Sequence, residues 1–153
     1  MARLDRMPEG ERKHLLSLPC PTYETAPWAT GPPLPERRLA LISTAGLHRR
    51  GDRPFGLGAA DYRIIPSDIP ARDLVMSHIS TNFDRTGFQQ DWNVVFPLDR
   101  LRELAEQKTI GSLAEYHYSF MGATDPGQME ETARSLARIL KNDGVDAVLL
   151  VPV

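Results

Sequence analysis

Apolar residues recur in two rhythms along this chain. After Asp125 and Pro126, residues Met129, Ala133, Leu136, Ala137 and Leu140 fall at i, i+4, i+7, i+8 and i+11. That spacing places them on one face of a helix. Asp125 is a good N-cap, Pro126 suits the first helical position, and Asn142 with Gly144 provides the exit. A second helix is predicted after Pro97, where Leu98, Leu101, Leu104 and Ala105 keep helical spacing and Lys108 falls in the last turn. Its N-cap would be Phe96, a poor capper, so neighbours must fix its start.

The other rhythm is short apolar runs. "LALIST" (39–44) ends in small residues and leads into the polar, glycine-rich loop "AGLHRRGDRPFGLG". That is strand followed by loop. "DYRIIP" (61–66) reads as an edge strand because a proline ends it. "DLVMSHI" (73–79) is a further strand candidate. "SLAEYHYSFMG" (112–122) reads as a strand ending near Phe120, and "AVLLVPV" (147–153) as a buried parallel strand. "STNFDRTGFQQDWN", between strand and helix, reads as a long polar loop. Strand–helix–strand over residues 112–153 is a βαβ unit with a right-handed crossover. The expected fold is α/β: an open, mostly parallel sheet with helices on both faces, three-layered and Rossmann-like, incomplete at its C-terminal side.

Proline distribution divides the chain. Seven of its 13 prolines lie in residues 1–36. Proline fixes φ and cannot donate to a ladder, so residues 1–37 read as an extended proline-rich arm, with a short helix within 3–17. It either lies over a surface or partner or is a loose lead-in. Residues 38–153 are the α/β domain.

Bulk properties narrow the class. The 153 residues suit one domain, and 41% hydrophobic with 25% charged residues is ordinary for a globular protein. A net charge of −2 with interspersed signs gives no basic stripe for nucleic acid. The longest apolar run is too short to span a bilayer, and no secretory signal is evident. One cysteine excludes an internal disulfide. A cytoplasmic location is expected.

Several residues could carry chemistry. His48, His78 and His117 lie where strands end or run. If the strands bearing His48 and His78 are parallel neighbours, the two converge on one rim, where imidazole can act as acid, base or ligand. Each also reads as an ordinary partly buried histidine, most of all mid-strand His117. A three-histidine zinc site lacks the spacing that would support it. In the polar loop, Asp84, Arg85 and Asp91 cluster. Arg85 could grip a carboxylate in a bidentate fork, or pair locally with an aspartate. "FMGATDPG" runs from a strand end into a helix N-terminus, so Gly122 to Thr124 could hold an anion or be a plain βα turn. Cys20, between two prolines, has no cationic neighbour and reads as unreactive. "GDRPFGLG" lacks the phosphate-loop spacing.

Five stretches taken in order carry a resemblance: "LALISTAGLH", "DLVMSHIS", "NFDRTGFQQDWNVVFPLDRLRELAEQKTIGSLA", "YHYSFMGA" and "LKNDGVDAVLLVPV". Across about residues 38–153 the chain resembles the selenoprotein subunit of D-proline reductase and component B of the glycine, sarcosine and betaine reductases. The resemblance implies reductive cleavage of a Cα–N bond in an amino acid or derivative. A pyruvoyl group in a companion subunit would activate the substrate amine. A selenocysteine or cysteine, followed by two residues and a Cys, would attack the α-carbon, and a dithiol electron donor would restore it. Selenium suits this because it is ionised at neutral pH and leaves readily. In the family that motif directly follows the strand resembling "GVDAVLLVPV". Here the chain stops at Val153, so no catalytic residue is expected within it, and a UGA codon read as termination is the simplest expectation. His48, His78, Asp84, Arg85, Asp91, His117 and Gly122 are the candidates for shaping or binding, with no metal. The chain alone is expected to be inactive, and to dimerise or dissolve poorly through the uncovered last strand. Other readings are a non-catalytic interaction module, or a small metal enzyme using the histidines.

Overall fold

The computed structural model describes residues 4–19, 22–26, 28–80 and 85–153. Cys20 and Asp84 lie outside the described residues. In chain order the elements are α1 (Glu9–Ser17), β1 (Arg38–Ser43), β2 (Leu47–Arg49), β3 (Arg63–Pro66), β4 (Leu74–Met76), α2 (Thr86–Gln90), α3 (Leu98–Glu106), β5 (Ser112–Leu113), β6 (Tyr116–Ser119), α4 (Pro126–Asn142) and β7 (Ala147–Val151).

β1 is the centre of the sheet. It pairs in parallel with β7 on one side, and on the other with β5 at its start and β6 at its end. β3 closes the far edge antiparallel to β6. The sheet is therefore mixed and mostly parallel, with α3 against one face and α4 against the other. Alternation along β1 explains the layering. Leu39 and Leu41 join Leu98 and Leu101 of α3 in one core, and Ala40 joins Leu136 and Leu140 of α4 in the second. The unit β6–α4–β7 crosses over β1, and so α4 lies above Ala40.

Four local features differ from the sequence expectations. The strand expected over 112–122 is split in two. The gap is filled by the His117 imidazole, whose Nδ1 accepts the Leu41 N–H at 3.1 Å, replacing a ladder bond. β2 and β4 form a separate two-stranded antiparallel ribbon rather than joining the main sheet. β7, expected to be buried, is an edge strand. Its Ala147, Leu149 and Val151 face the α3 core, while Val148 and Leu150 are 42% and 68% exposed on the other face. The reason is that α4 covers β1 and stops short of β7. The polar loop contains α2 and a 3₁₀ turn, Trp92–Val94.

α3 starts one residue later than expected, with Pro97 rather than Phe96 at its N-cap, and ends at Glu106, so Lys108, at φ +61°, lies past its last turn; its start is fixed by neighbours. Asn93 Oδ1 accepts the Asp99 N–H at 3.0 Å, and the Asp99 carboxylate accepts from Trp92 Nε1 at 2.9 Å and Asn93 Nδ2 at 3.0 Å. α4 begins as its sequence predicts, with Asp125 accepting the Gly127 N–H at 2.9 Å. In the N-terminal arm, α1 has no buried residue, and Tyr23 and Trp28 are exposed. No helix among the described residues is long and apolar enough to cross a membrane.

Candidate functional site at the strand carboxyl ends

The carboxyl ends of β1, β6 and β7 meet in one place, and Thr44 joins them. Its N–H donates to Val151 C=O at 3.1 Å, and its C=O accepts from Gly122 N–H at 2.8 Å. Its hydroxyl accepts from Val153 N–H at 2.8 Å and donates to Val153 C=O at 3.2 Å. Gly122 is needed for this approach. A Cβ there would sit 2.3 Å from the Val153 carbonyl oxygen and 2.9 Å from that of Thr44. Beside them, Ala45 bridges Met121, and Gly46 donates to Phe120 C=O at 2.9 Å. Gly46 has φ +65°, and a Cβ there would meet the His78 backbone at 3.1 Å, so only glycine suits both the turn and the contact.

His78 and Arg85 are thereby brought to this rim together. An Arg85 guanidinium N–H donates to His78 C=O, and His78 Nδ1 accepts the Ser80 N–H at 3.2 Å, which assigns the ring proton to Nε2. Burial, then the Arg85 charge, lowers the His78 pKa from its ordinary value, so the ring is neutral at pH 7.

The remaining candidates have structural partners. β2 and β4 run antiparallel, so the condition for His48 and His78 to converge as carboxyl ends of parallel neighbours is not met. His48 lies opposite Val75 within the ribbon, and its Nδ1 bonds Arg49 C=O at 2.9 Å. His117 is fully buried beside Phe96. Desolvation, then Arg102, pushes its pKa down to about 4. Asp91 caps the 3₁₀ turn through Asn93, whose side-chain and backbone N–H groups hold the Asp91 carboxyl below the usual range. At Gly122 to Thr124 the first and last amides are spent on Thr44 C=O and Met121 C=O, and the Asp125 carboxylate occupies the helix start. Those bonds favour a βα turn over an anion cradle. Among the described residues no three of His, Cys, Asp or Glu are placed to share a metal ion.

A cleft of about 620 Å³ lies at the opposite end of the sheet, lined by Arg49, Pro66, Ser67, Asp68, Arg102, Glu115 and Tyr116. Its charges are mixed, and Arg102 is already held by Asp99 at 2.5 Å and by Ser67 C=O. The strand carboxyl ends are the better candidate, because an open α/β sheet presents its chemistry there. Sequence reading missed Thr44. The signal was the run Ser43, Thr44, Ala45, Gly46 directly after an apolar strand: small residues where backbones must approach.

The chain is an α/β domain with a mostly parallel sheet, and its candidate site is the carboxyl end of the parallel strands. Residues 61–153 match the glycine/sarcosine/betaine reductase selenoprotein B family, and the chain belongs to that family. It is 38% identical over 120 residues to the D-proline reductase subunit gamma of Acetoanaerobium sticklandii, covering 76% of this chain and 49% of that protein. It is 32% identical over 120 residues to the sarcosine reductase complex component B subunit beta of Peptoclostridium acidaminophilum, covering 74% and 27%. It is 29% identical over 140 residues to the glycine reductase complex component B subunit gamma of Carboxydothermus hydrogenoformans, covering 87% and 32%. The chain thus spans half or less of these relatives. No solved structure matches it.

Proposed function

We propose that this chain forms the part of an amino-acid reductase subunit that holds the strand end from which the reactive selenol or thiol projects. The observation that carries this reading is the seating of Val153 by Thr44 and Gly122 where three parallel strands end. In the family resemblance, the residue after this strand is the reactive one. Family membership and relatives with reductase names support the class of chemistry.

The reaction proposed is reductive Cα–N cleavage of D-proline, glycine, sarcosine or betaine. The C–N bond breaks, a C–H and an N–H bond form, and the two electrons come from a dithiol oxidised to a disulfide. A selenol or thiol after Val153 would supply the nucleophile; a pyruvoyl group of a companion subunit would activate the amine nitrogen of D-proline, glycine or sarcosine, whereas the quaternary nitrogen of betaine already leaves as a neutral amine and needs no such activation. The rim suits a reactive group on the next residue. Thr44, Ala45, Gly46 and Gly122 are small, so backbones approach closely and the seat is backbone-walled. This chain's side chains bind and orient. Thr44 holds Val153, Arg85 pins the His78 backbone, and neutral His78 keeps a proton on Nε2. Its proposed partners are the companion subunit and the dithiol donor. Relatives named as components of reductase complexes support such an assembly.

The test uses the full-length subunit with the other subunits of its complex and dithiothreitol. The expected result is dithiol oxidation that depends on one of the four substrates and matches its consumption one for one. Absence of substrate-dependent oxidation with all four contradicts the reading. A purely adhesive role is the second reading, favoured by the exposed Val148 and Leu150 face of β7. It predicts complex formation with no such oxidation.

A further inference from the structure

We infer that Thr44 is the positioning residue for the reacting atom, an inference that rests on the reductase reading above. Ladder pairing between β1 and β7 ends at Ser43 and Val151. Beyond it Pro152 has no N–H to give. Val153 N–H is the next backbone donor past the end of β7, and it goes to a side chain, the Thr44 hydroxyl, at 2.8 Å. The same hydroxyl donates to Val153 C=O at 3.2 Å. One residue therefore holds both backbone polar groups of Val153, and with them the direction in which the chain leaves the strand. Gly122 forms the other wall of the seat, with no room for a Cβ beside the Val153 carbonyl.

The Thr44 backbone is tied on both sides, by Val151 C=O and Gly122 N–H, so the hydroxyl is presented from a fixed point. Reacting atoms gain rate when held near attack geometry, and a displacement of about 1 Å costs on the order of 100-fold. Thr44 touches no reacting atom. It acts through Val153.

The test has two readouts. In the full-length subunit, amide hydrogen exchange at Val153 is slow in the parent and in Thr44→Ser. In Thr44→Val it is at least tenfold faster, with Gly122 and Leu41 amides unchanged. In the assembled full-length reductase, Thr44→Val lowers kcat at least tenfold with KM within twofold, and Thr44→Ser restores kcat. Gly122→Ala, which leaves the hydroxyl in place but fills the seat, reproduces the kcat loss and guards against a Thr44→Val chain that fails to fold. Fast Val153 exchange in the parent overturns the inference. So does an active parent whose kcat is unchanged by both substitutions. A parent assembly that consumes none of the four substrates overturns the reductase reading itself, and the inference with it.

Discussion

The two ends of the sheet are held together by different means. At the amino end, charge does the holding. Arg38 bonds both Asp143 carboxylate oxygens at 3.1 and 3.2 Å, Asp143 C=O at 2.9 Å and Leu113 C=O at 3.0 Å. Arg37 reaches Pro32 C=O at 2.7 Å and Asp146 C=O at 3.2 Å. These long side chains are partly exposed, adjustable and screened by salt. At the carboxyl end Arg85 reaches only the neighbouring His78 C=O, and the strands themselves are joined without a charge pair among the described residues. Backbones touch through glycines, and one hydroxyl links β1 to the end of β7. Arginine forks tolerate small shifts. A glycine-walled seat does not, and that intolerance suits the placing of a reactive atom proposed above. The difference teaches where this fold spends its geometric precision.

The largest effect that would break this comparison comes from between the two ends. His117 bridges the split strand, and its folded pKa of about 4 lies below its ordinary 6.5. A depressed imidazole pKa means the folded state prefers the neutral ring. Its contribution is fully present above about pH 6.5 and is lost as pH falls toward about 4, by roughly 3 kcal/mol. Urea unfolding from pH 7 to pH 4 measures it, and His117→Asn should remove most of that slope. The next effect is Gly122→Ala. Its Cβ meets two backbone carbonyl oxygens, and overpacking of this kind costs about 1–3 kcal/mol, read as a lower urea midpoint. Arg38→Met at the amino end should cost about 1 kcal/mol, since its charge pair with Asp143 is part-exposed. That loss should shrink in 1 M salt, whereas the Gly122 loss should not. Smallest is Leu150→Thr on the uncovered face of β7. It should change stability by less than about 0.5 kcal/mol in thermal melts, because Leu150 is already 68% exposed.

Much of the fold was legible. Long periodic segments declared themselves, so α3, α4, β1 and β7 fall where the apolar spacing puts them. The edge position of β3 followed from Pro66. Short elements did not declare themselves. β2 is three residues long and shows no alternation, so its antiparallel pairing with β4 depends on tertiary context alone. The break between β5 and β6 was hidden because a side chain, His117, supplies the missing acceptor. The arrangement at the candidate rim was legible only in part. Gly122, His78 and Arg85 reach the rim, while Asp91 turned out to cap a turn through Asn93. Polar residue types alone cannot distinguish a cap from a ligand. Thr44 escaped notice because a threonine after a strand is common, and only its distance to Val153 gives it meaning.

On the function proposed here, a reactive selenium or sulfur atom would be borne immediately beyond Val153, on the seat made by Thr44 and Gly122. Reading the coding sequence past codon 153 tests it most directly. The expected result is a UGA or cysteine codon followed in frame by two residues and a cysteine, within a continuing reading frame. A UAA or UAG codon with no continuing frame would contradict it.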